Sequence, residues 1–345
     1  MNFFKAAVLE SVKKPLSIRN LRIPNLEFGQ VLLKINYSGV CRSQLMEVEG
    51  LRGDDVHLPH LLGHEGVGIV LGIGAGVRKV KVGDKVIIGW IKSSGASSKT
   101  PTFFDDNNSQ VNAGLTTTFS ELSVVSENRV YLQPEFLPDK VAVLFGCSML
   151  TGFGMVLNEL TPRQKQTILV LGLGGVGISA LLANIMINPN MIIAADISEE
   201  KRNRAKDLGI KHVLDSSSSD FVHEVLDLTN GGVDIGYECA GYSESIEQAF
   251  ACLKAQRGHL VFASHPKFGD KIQIDPYELI RGKTITGTWG GRAKPDRDIP
   301  KIAKLILNSY INLENLIGNE YPLEQINAAI IELADGNSTR PIIKM

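Results

Sequence analysis

The feature that most constrains the fold is a glycine-rich turn with the pattern G-x-G-x-x-G, formed by Gly172, Leu173, Gly174, Gly175, Val176 and Gly177. An apolar run at 167–171, typical of a buried strand, precedes this turn, and a helix candidate at 178–186 follows it. In such a turn Gly172 permits a sharp bend, Gly174 lets the backbone approach a bound group, and Gly177 lets the helix pack closely on the strand. The turn therefore predicts a strand–turn–helix unit of a parallel sheet.

Strand and helix candidates continue to alternate after the turn. Further strand candidates lie at 191–195, 212–214, 233–237 and 260–263, and helix candidates lie at 199–208, 220–228 and 243–253. Repeated strand–helix units are typical of a doubly wound parallel sheet with helices on both faces. We therefore expect an α/β domain over 151–289.

The part before residue 150 has a different pattern. Short runs rich in β-branched residues at 31–35, 66–70 and 85–88 lie between glycine-rich turns, which predicts a small β-barrel. The segment 93–118 is dominated by Ser, Thr, Asn, Asp and Gly, and we expect it to be a surface excursion.

Length and charge narrow the function classes. A chain of 345 residues suits two domains, and its formal net charge of -1 gives no field that would recruit nucleic acid or an anionic membrane. The sequence shows neither a signal-peptide pattern nor an apolar run of about 20 residues, so we expect a cytoplasmic protein. In that compartment its four cysteines are expected to be free thiols, ligands or core residues.

Asp196 ends the strand that follows the glycine turn, where a ribose-binding carboxylate is expected. The amides at the start of the helix after the turn favour a pyrophosphate group. A carboxylate at this position accepts hydrogen bonds from both ribose hydroxyls and repels a 2′-phosphate, which predicts NAD rather than NADP. The alternative is a purely structural turn with an acidic cap on the next helix.

A second set of residues has the chemistry of a metal site, namely Cys41, His64 and Cys147. One imidazole and two thiolates suit zinc and leave a fourth position open for water or substrate. An open position allows catalysis, because zinc lowers the pKa of a hydroxyl bound to it. Spacing alone leaves the matter open, since a lone histidine is more often a hydrogen-bonded structural residue and a lone cysteine a core residue.

Three short motifs carry a family resemblance: Gly39-Val40-Cys41-Arg42-Ser43, Gly63-His64-Glu65-Gly66-Val67-Gly68 and Gly146-Cys147-Ser148-Met149-Leu150-Thr151-Gly152. With the glycine turn they resemble, in the same order and over nearly the whole chain, the zinc-containing alcohol dehydrogenases of the medium-chain dehydrogenase/reductase superfamily. The resemblance implies a GroES-like catalytic barrel at 1–150, a Rossmann NAD-binding domain at 151–289, and a segment at 290–345 that returns to the catalytic domain. It also implies reversible, NAD-linked oxidation of an alcohol to an aldehyde or ketone.

The resemblance assigns catalytic roles by matching motif. Cys41, His64 and Cys147 correspond to the ligands of the catalytic zinc ion. Ser43 corresponds to the residue that first accepts the proton of the substrate hydroxyl. Glu65 corresponds to the glutamate that lies beside the metal in that family.

The resemblance also assigns cofactor contacts. Arg42 and Arg340 resemble the two arginines that hold the cofactor pyrophosphate, and Lys201 resembles the basic residue at the adenosine ribose. Plain surface charge is the alternative for these residues. The remaining cofactor-binding residues implied are Thr151, Gly172, Gly174, Gly175, Val176, Gly177 and Asp196.

Three departures from the family pattern modify these expectations. Met46 occupies the position of the histidine that often ends the proton relay, so the proton is expected to leave through the ribose and water. The segment 93–118 contains no cysteine, although many members carry four there for a structural zinc, so we expect one zinc ion per chain. Gln44 stands where a carboxylate often orients the zinc-bound histidine.

The substrate pocket and the assembly are less defined by the sequence. Trp90 and Phe119 resemble apolar pocket walls of the family, with core aromatics as the alternative, and 264–267 and 289–292 are candidate ligand-facing loops. A homodimer or homotetramer is expected, with the run Lys283 to Trp289 as a possible edge between subunits. The competing functions are a zinc-free, NADPH-dependent quinone or enoyl reductase and a non-catalytic nucleotide-binding protein.

Overall fold

The computed structural model describes residues 3–309, 311–336 and 340–345. It divides into two compact units, one formed by the chain up to Cys147 together with Lys294–Met345, the other by Ser148–Ala293. The second unit is thus inserted into the first along the chain. The boundaries predicted at 150 and 289 lie close to these points.

The first unit is mostly antiparallel β-structure. Its strands are β1 (Phe3–Leu9), β2 (Ser17–Arg22), β3 (Gln30–Gly39), β4 (His60–Leu61), β5 (Glu65–Ile73), β6 (Lys85–Gly89), β7 (Thr102–Phe104), β8 (Gln110–Asn112), β9 (Leu122–Ser126), β10 (Val130–Leu132), and, near the C-terminus, β17 (Glu320–Pro322) and β18 (Ile342–Lys344). One sheet has the order β2-β1-β4-β8-β7, and the other has the order β10-β6-β5-β3-β18-β17, with β9 also pairing with β3. The last strand therefore lies inside a sheet, beside a strand from the start of the chain.

Alternation of side chains along β3 builds one core of this unit. Val31, Leu33 and Ile35 are buried in one cluster, as the two-residue period of a strand dictates. The helices of this unit are α1 (Arg42–Val48), α2 (Asp139–Ala142), α9 (Pro295–Leu307) and α10 (Ile326–Ala334).

The second unit contains one six-stranded sheet in which all pairings are parallel. Its strands are β11 (Thr167–Leu171), β12 (Met191–Asp196), β13 (His212–Asp215), β14 (Ile235–Glu238), β15 (His259–Phe262) and β16 (Thr284–Gly287), in the order β13-β12-β11-β14-β15-β16. Its helices are α3 (Ser148–Gly154), α4 (Gly175–Ile187), α5 (Glu199–Asp207), α6 (Phe221–Leu228), α7 (Ser243–Ala251) and α8 (Pro276–Ile280). Every residue of β11 is buried, as expected for a strand covered on both faces. The predicted α/β fold, a GroES-like barrel with a Rossmann sheet, is confirmed.

The glycine turn has the geometry that its sequence predicts. Gly172 has φ +86°, and a Cβ there would lie 2.4 Å from the backbone nitrogen of Ala240. A Cβ on Gly177 would lie 1.7 Å from the carbonyl oxygen of Gly172. Side chains are therefore excluded at both positions because strand and helix pack so closely.

The segment 93–118, predicted to be a surface excursion, contains regular structure that its polar composition does not predict. Strands β7 and β8 form an antiparallel hairpin, and β8 also pairs with β4. Phe103 and Val111 are buried, and the ring of Phe103 packs edge-on against Phe4 at a centroid distance of 5.7 Å. Most other residues from 93 to 115 are exposed or half-buried, so the segment lies at the surface as expected, with two short strands anchored by a few buried side chains.

Within the described ranges no single helix is long and apolar enough to cross a membrane. Two consecutive helical stretches, 139–146 and 148–159, reach that length and composition only when taken together.

Candidate functional site

Cys41, His64 and Cys147 come together in the first unit. Cys41 is the residue that caps the N-terminus of α1, His64 directly precedes β5, and Cys147 follows the 3-10 turn Val143–Gly146. Their ligand atoms all lie within 4.8 Å of one another. Three elements far apart in sequence thus converge on one point.

The donor set fits a zinc ion. The Nε2 atom of His64 is buried and makes no hydrogen bond within the described parts of the chain. Such a buried polar atom is costly unless a partner completes it. Two sulfur atoms and one imidazole nitrogen are ligands that zinc prefers, and a tetrahedral ion bound by three protein groups keeps one position open.

The interaction between the two thiols shifts their pKa values in opposite directions. The hydrogen bond from Cys147 is the largest cause that holds the pKa of Cys41 well below its usual value, and the charges of Arg340 and His64 act in the same direction. The pKa of Cys147 is raised well above its usual value by that same interaction and by burial. The cluster thus favours deprotonation of Cys41 over that of Cys147, and because zinc binds thiolates, metal binding releases the thiol protons that remain.

Glu65 and Arg340 form a buried ion pair beside this cluster. Arg340 Nη1 lies 2.9 Å from Glu65 Oε1 and 3.3 Å from the carbonyl oxygen of Val40. Burial raises the pKa of Glu65 to about 7, although Arg340 opposes this shift. Burial also acts to lower the pKa of Arg340, but Glu65, Cys41 and Cys147 outweigh it and keep the guanidinium charged.

Ser43 and Gln44 both contact His64 from the first turn of α1. Ser43 Oγ lies 3.2 Å from His64 Nδ1. The side-chain nitrogen of Gln44 also contacts Nδ1, while its oxygen accepts the backbone N–H of Cys41 at 3.2 Å. Met46, further along α1, is buried. The histidine ring is thus oriented through Nδ1, which leaves Nε2 directed away from these contacts.

The structure separates the two aromatic residues that the sequence grouped together. Phe119 is buried in the core with Ala7 and Leu9, so it is a core aromatic. The Nε1 atom of half-buried Trp90 instead donates a hydrogen bond to Cys147 Sγ at 3.3 Å. Sequence reasoning missed this contact, because the two residues are 57 positions apart.

The cofactor turn lies in the second unit. Gly174 caps α4 without a side-chain hydrogen bond, and a Cβ there would meet no atom within 4 Å. Asp196 is buried, and its carboxylate accepts the N–H groups of Leu173 at 2.6 Å and Ser198 at 2.9 Å. Open space before bare helix amides, beside a fixed carboxylate, fits a dinucleotide.

The other residues with predicted cofactor contacts have these positions. Thr151 lies in α3 with its hydroxyl buried and without a hydrogen bond among described residues, and Lys201 lies in α5. Arg42 is the first residue of α1. Their roles toward a cofactor stay predictions.

The chain matches two family models. Residues 27–135 match the alcohol dehydrogenase GroES-like domain, and residues 175–308 match the zinc-binding dehydrogenase domain. Alcohol dehydrogenase 2 of Zea mays is 31% identical over 369 residues, which covers 99% of this chain and 97% of the relative. Alcohol dehydrogenase class-3 of Dictyostelium discoideum is 30% identical with the same coverage of both chains.

A solved structure agrees with these sequence relatives. The benzyl alcohol dehydrogenase of Acinetobacter calcoaceticus has a TM-score of 0.89 at 27% identity, and the match covers 100% of both chains. The fold, the metal cluster and the relatives all indicate the same protein family. The chain is an oxidoreductase that belongs to the zinc-containing alcohol dehydrogenase family of the medium-chain dehydrogenase/reductase superfamily.

Proposed function

We propose that this protein is an NAD-dependent alcohol dehydrogenase with one catalytic zinc ion per chain, held by Cys41, His64 and Cys147. The observation that carries the proposal is the convergence of these three donors within 4.8 Å around a buried His64 Nε2 that lacks another described partner. The reaction interconverts an alcohol and an aldehyde or ketone. Simple alcohols, polyols and sugar derivatives are the candidate substrates, and the cytoplasm is the proposed location.

The chain's own residues position the reactants and move the proton. When bound, zinc polarises the substrate oxygen and the nicotinamide accepts a hydride. Ser43 Oγ takes the hydroxyl proton and passes it to the cofactor ribose and water, because Met46 carries no titratable group. Oxidation of the alcohol thus transfers one hydride to the cofactor and releases one proton to solvent.

Arg340 has donors for a second partner besides Glu65. Its Nε is buried and without a hydrogen bond in the described part of the chain. A guanidinium with free donors suits a pyrophosphate oxygen. We assign Arg340 to both partners, so that Glu65 fixes the arginine and supplies negative potential beside the metal.

The preference for NAD rests on Asp196. Its buried carboxylate is held by two backbone amides and keeps acceptor capacity for ribose hydroxyls, while a 2′-phosphate would meet its charge. Lys201, Arg42 and Thr151 complete the proposed contacts. Replacing Asp196→Ala should lower the preference for NAD over NADP.

One assay tests the proposal against its alternatives. A panel of alcohols, polyols and sugar derivatives is incubated with NAD or NADP, and NADH or NADPH absorbance is followed. We expect turnover with NAD that chelation abolishes and zinc restores. Reduction of quinones or enones by NADPH without zinc would instead identify a zinc-free reductase. Stoichiometric zinc and NAD binding with no turnover of any substrate would identify a non-catalytic nucleotide-binding protein.

The oligomeric state is proposed to be a homodimer or homotetramer. Strand β16 is the last strand of its sheet, and Trp289 and Ile280 near it are 80% and 79% exposed. An edge strand beside exposed apolar side chains is a ready pairing surface. Light scattering of the parent and of Ile280→Asp tests this, and a monomeric parent would contradict it.

A further inference from the structure

The indole of Trp90 makes a directional contact with one member of the metal cluster. Its Nε1 lies 3.3 Å from Cys147 Sγ. An indole N–H can only donate, and sulfur can accept, so the direction of this hydrogen bond is fixed by the chemistry of the two groups. The N–H group therefore polarises a lone pair of the sulfur atom.

Backbone packing places the two side chains together. A Cβ on Gly146 would lie 2.5 Å from the carbonyl oxygen of Ile88, and a Cβ on Gly89 would lie 2.5 Å from the carbonyl oxygen of Gly146. The end of β6 thus touches the turn directly before Cys147. Trp90 is the residue directly after β6, so its indole can reach Cys147.

Hydrogen bonds around Trp90 hold its backbone in place. The guanidinium of Arg129 donates to the carbonyl oxygen of Trp90. The hydroxyl of buried Tyr131 donates to the carbonyl oxygen of the next residue, Ile91. With its own carbonyl group and that of the next residue held, Trp90 presents its indole as a preorganised donor toward the cluster.

We propose that Trp90 is a positioning residue of the zinc site, and that its N–H withdraws electron density from the Cys147 thiolate and so makes the bound metal more electrophilic. Groups that hydrogen-bond to ligands tune a metal in this way. A side chain that only filled space here would leave the electronic state of the sulfur unchanged. The inference rests on the proposed zinc function and adds a residue to it.

The chain offers a matched control, because it has only two tryptophans. Trp289 lies in the second unit and is 80% exposed. Trp289→Phe therefore removes a largely exposed indole, and it leaves Trp90 as the single indole whose fluorescence can be followed.

Cobalt substitution is the decisive experiment. Parent, Trp90→Phe and Trp289→Phe are loaded with Co²⁺, metal content is measured, and the sulfur-to-cobalt charge-transfer absorption is recorded. We expect this band to move to longer wavelength in Trp90→Phe, because a thiolate without its donor gives up charge more easily, and to stay unchanged in Trp289→Phe. An unmoved band in fully loaded Trp90→Phe would overturn the role of Trp90 while leaving the zinc site intact.

A second measurement covers the case in which Trp90→Phe does not fold. Apo Trp289→Phe is titrated with Zn²⁺ while its remaining indole emission is followed. We expect the emission to change with an end point of one ion per chain, since the sulfur that contacts the indole becomes a metal ligand. Zinc binding without an emission change would refute the inference, and failure to bind zinc at all would refute the proposed function itself.

Discussion

The metal cluster and the β7–β8 hairpin belong to the same unit, but they differ in whether a buried polar side chain has hydrogen-bond partners. In the cluster, His64 Nε2 is buried without a hydrogen bond among the described residues. In the hairpin, the buried carboxylate of Asp105 accepts the N–H groups of Asn107 at 3.0 Å and Ser109 at 2.7 Å, and it pairs with Arg19 at 3.3 Å. The histidine nitrogen thus lacks a described partner, whereas the hairpin carboxylate has three.

This difference separates a binding site from a structural element. A buried polar atom without a partner raises the free energy of the folded chain, so its presence points to a group that arrives from outside. The hairpin occupies the region where many relatives of the family hold a structural zinc with four cysteines. Here the chain provides hydrogen bonds and an ion pair around Asp105 instead, together with the packing of Phe103 on Phe4.

Removing a thiol from the cluster should have the largest effect. Cys147→Ser is expected to lose bound zinc and to lower turnover by more than about 100-fold, a larger loss than that from removing an outer contact of a metal ligand. Cys252→Ser, in the core of the second unit, is the control and should keep both. Zinc analysis and NADH absorbance provide the measurements. Full zinc content in Cys147→Ser would show that the cluster is not the metal site.

Asp105→Ala should do the reverse, with a loss of stability and no loss of metal. Two backbone N–H groups would lose their acceptor, and Arg19 would keep only Glu10, at 2.6 Å. We expect a cost of about 2 kcal/mol in the free energy of unfolding. Urea denaturation and zinc analysis test this. The exposed neighbour Asp106→Ala should change stability by less than about 0.5 kcal/mol. A loss of zinc at unchanged stability would erase the distinction between the two regions.

Gln44 offers a way to strengthen metal binding by the cluster. Gln44→Glu places a carboxylate against His64 Nδ1, and a carboxylate is the better partner for the ring N–H of a metal-bound histidine. We expect zinc release to a chelator to slow by about tenfold. The control Gln273→Glu alters a glutamine of the second unit and should leave the rate unchanged. Faster release from Gln44→Glu would mean that the amide is the better partner.

The smallest effect is expected at Glu127, which ties the start of the polar segment to the barrel. Burial acts to raise the pKa of Glu127, but the N–H groups of Ala96, Lys79 and Arg78 outweigh it and lower the pKa. A carboxylate whose pKa is lower in the folded than in the unfolded state stabilises the fold at pH values above its unfolded-state pKa. This stabilisation is lost as the pH falls through the folded-state pKa. Glu127→Gln should therefore be less stable than the parent by about 1 kcal/mol at pH 7. This gap should shrink below about pH 4, and a gap that does not change with pH would contradict the assignment.

The sequence predicts most of what depends on local pattern. The glycine pattern at 172–177 predicts the strand before it and the helix after it, because glycine is required wherever backbone atoms approach closely. The candidate ligands were recognised only through the family motifs, since nothing local distinguishes His64 from a structural histidine. Single residues far apart in sequence form a metal site only when the fold brings them together.

Contacts that depend on packing between distant segments were not predictable. The bond from Trp90 to Cys147 follows from backbone contact between a strand end and a remote turn, and no pattern encodes it. The buried face of the hairpin was hidden because Phe103 and Val111 stand among polar residues. Phe119 is buried in a cluster that combines β1 with residues distant in sequence, such as Val40 and Leu323, and its local sequence does not predict these neighbours.

The position of the last strand has a consequence for biosynthesis. β18 pairs with β3, Ile342 opposite Gly39, and Arg340 just before it neutralises Glu65. A ribosome delivers β18 and Arg340 after β3 and after the inserted sheet, so the nascent barrel lacks one strand and Glu65 lacks its arginine until this segment has been made. The inserted parallel sheet, complete by Ala293, has all its strands available earlier. A nascent chain thus carries the three candidate metal ligands well before it carries Arg340, whose charge acts on them.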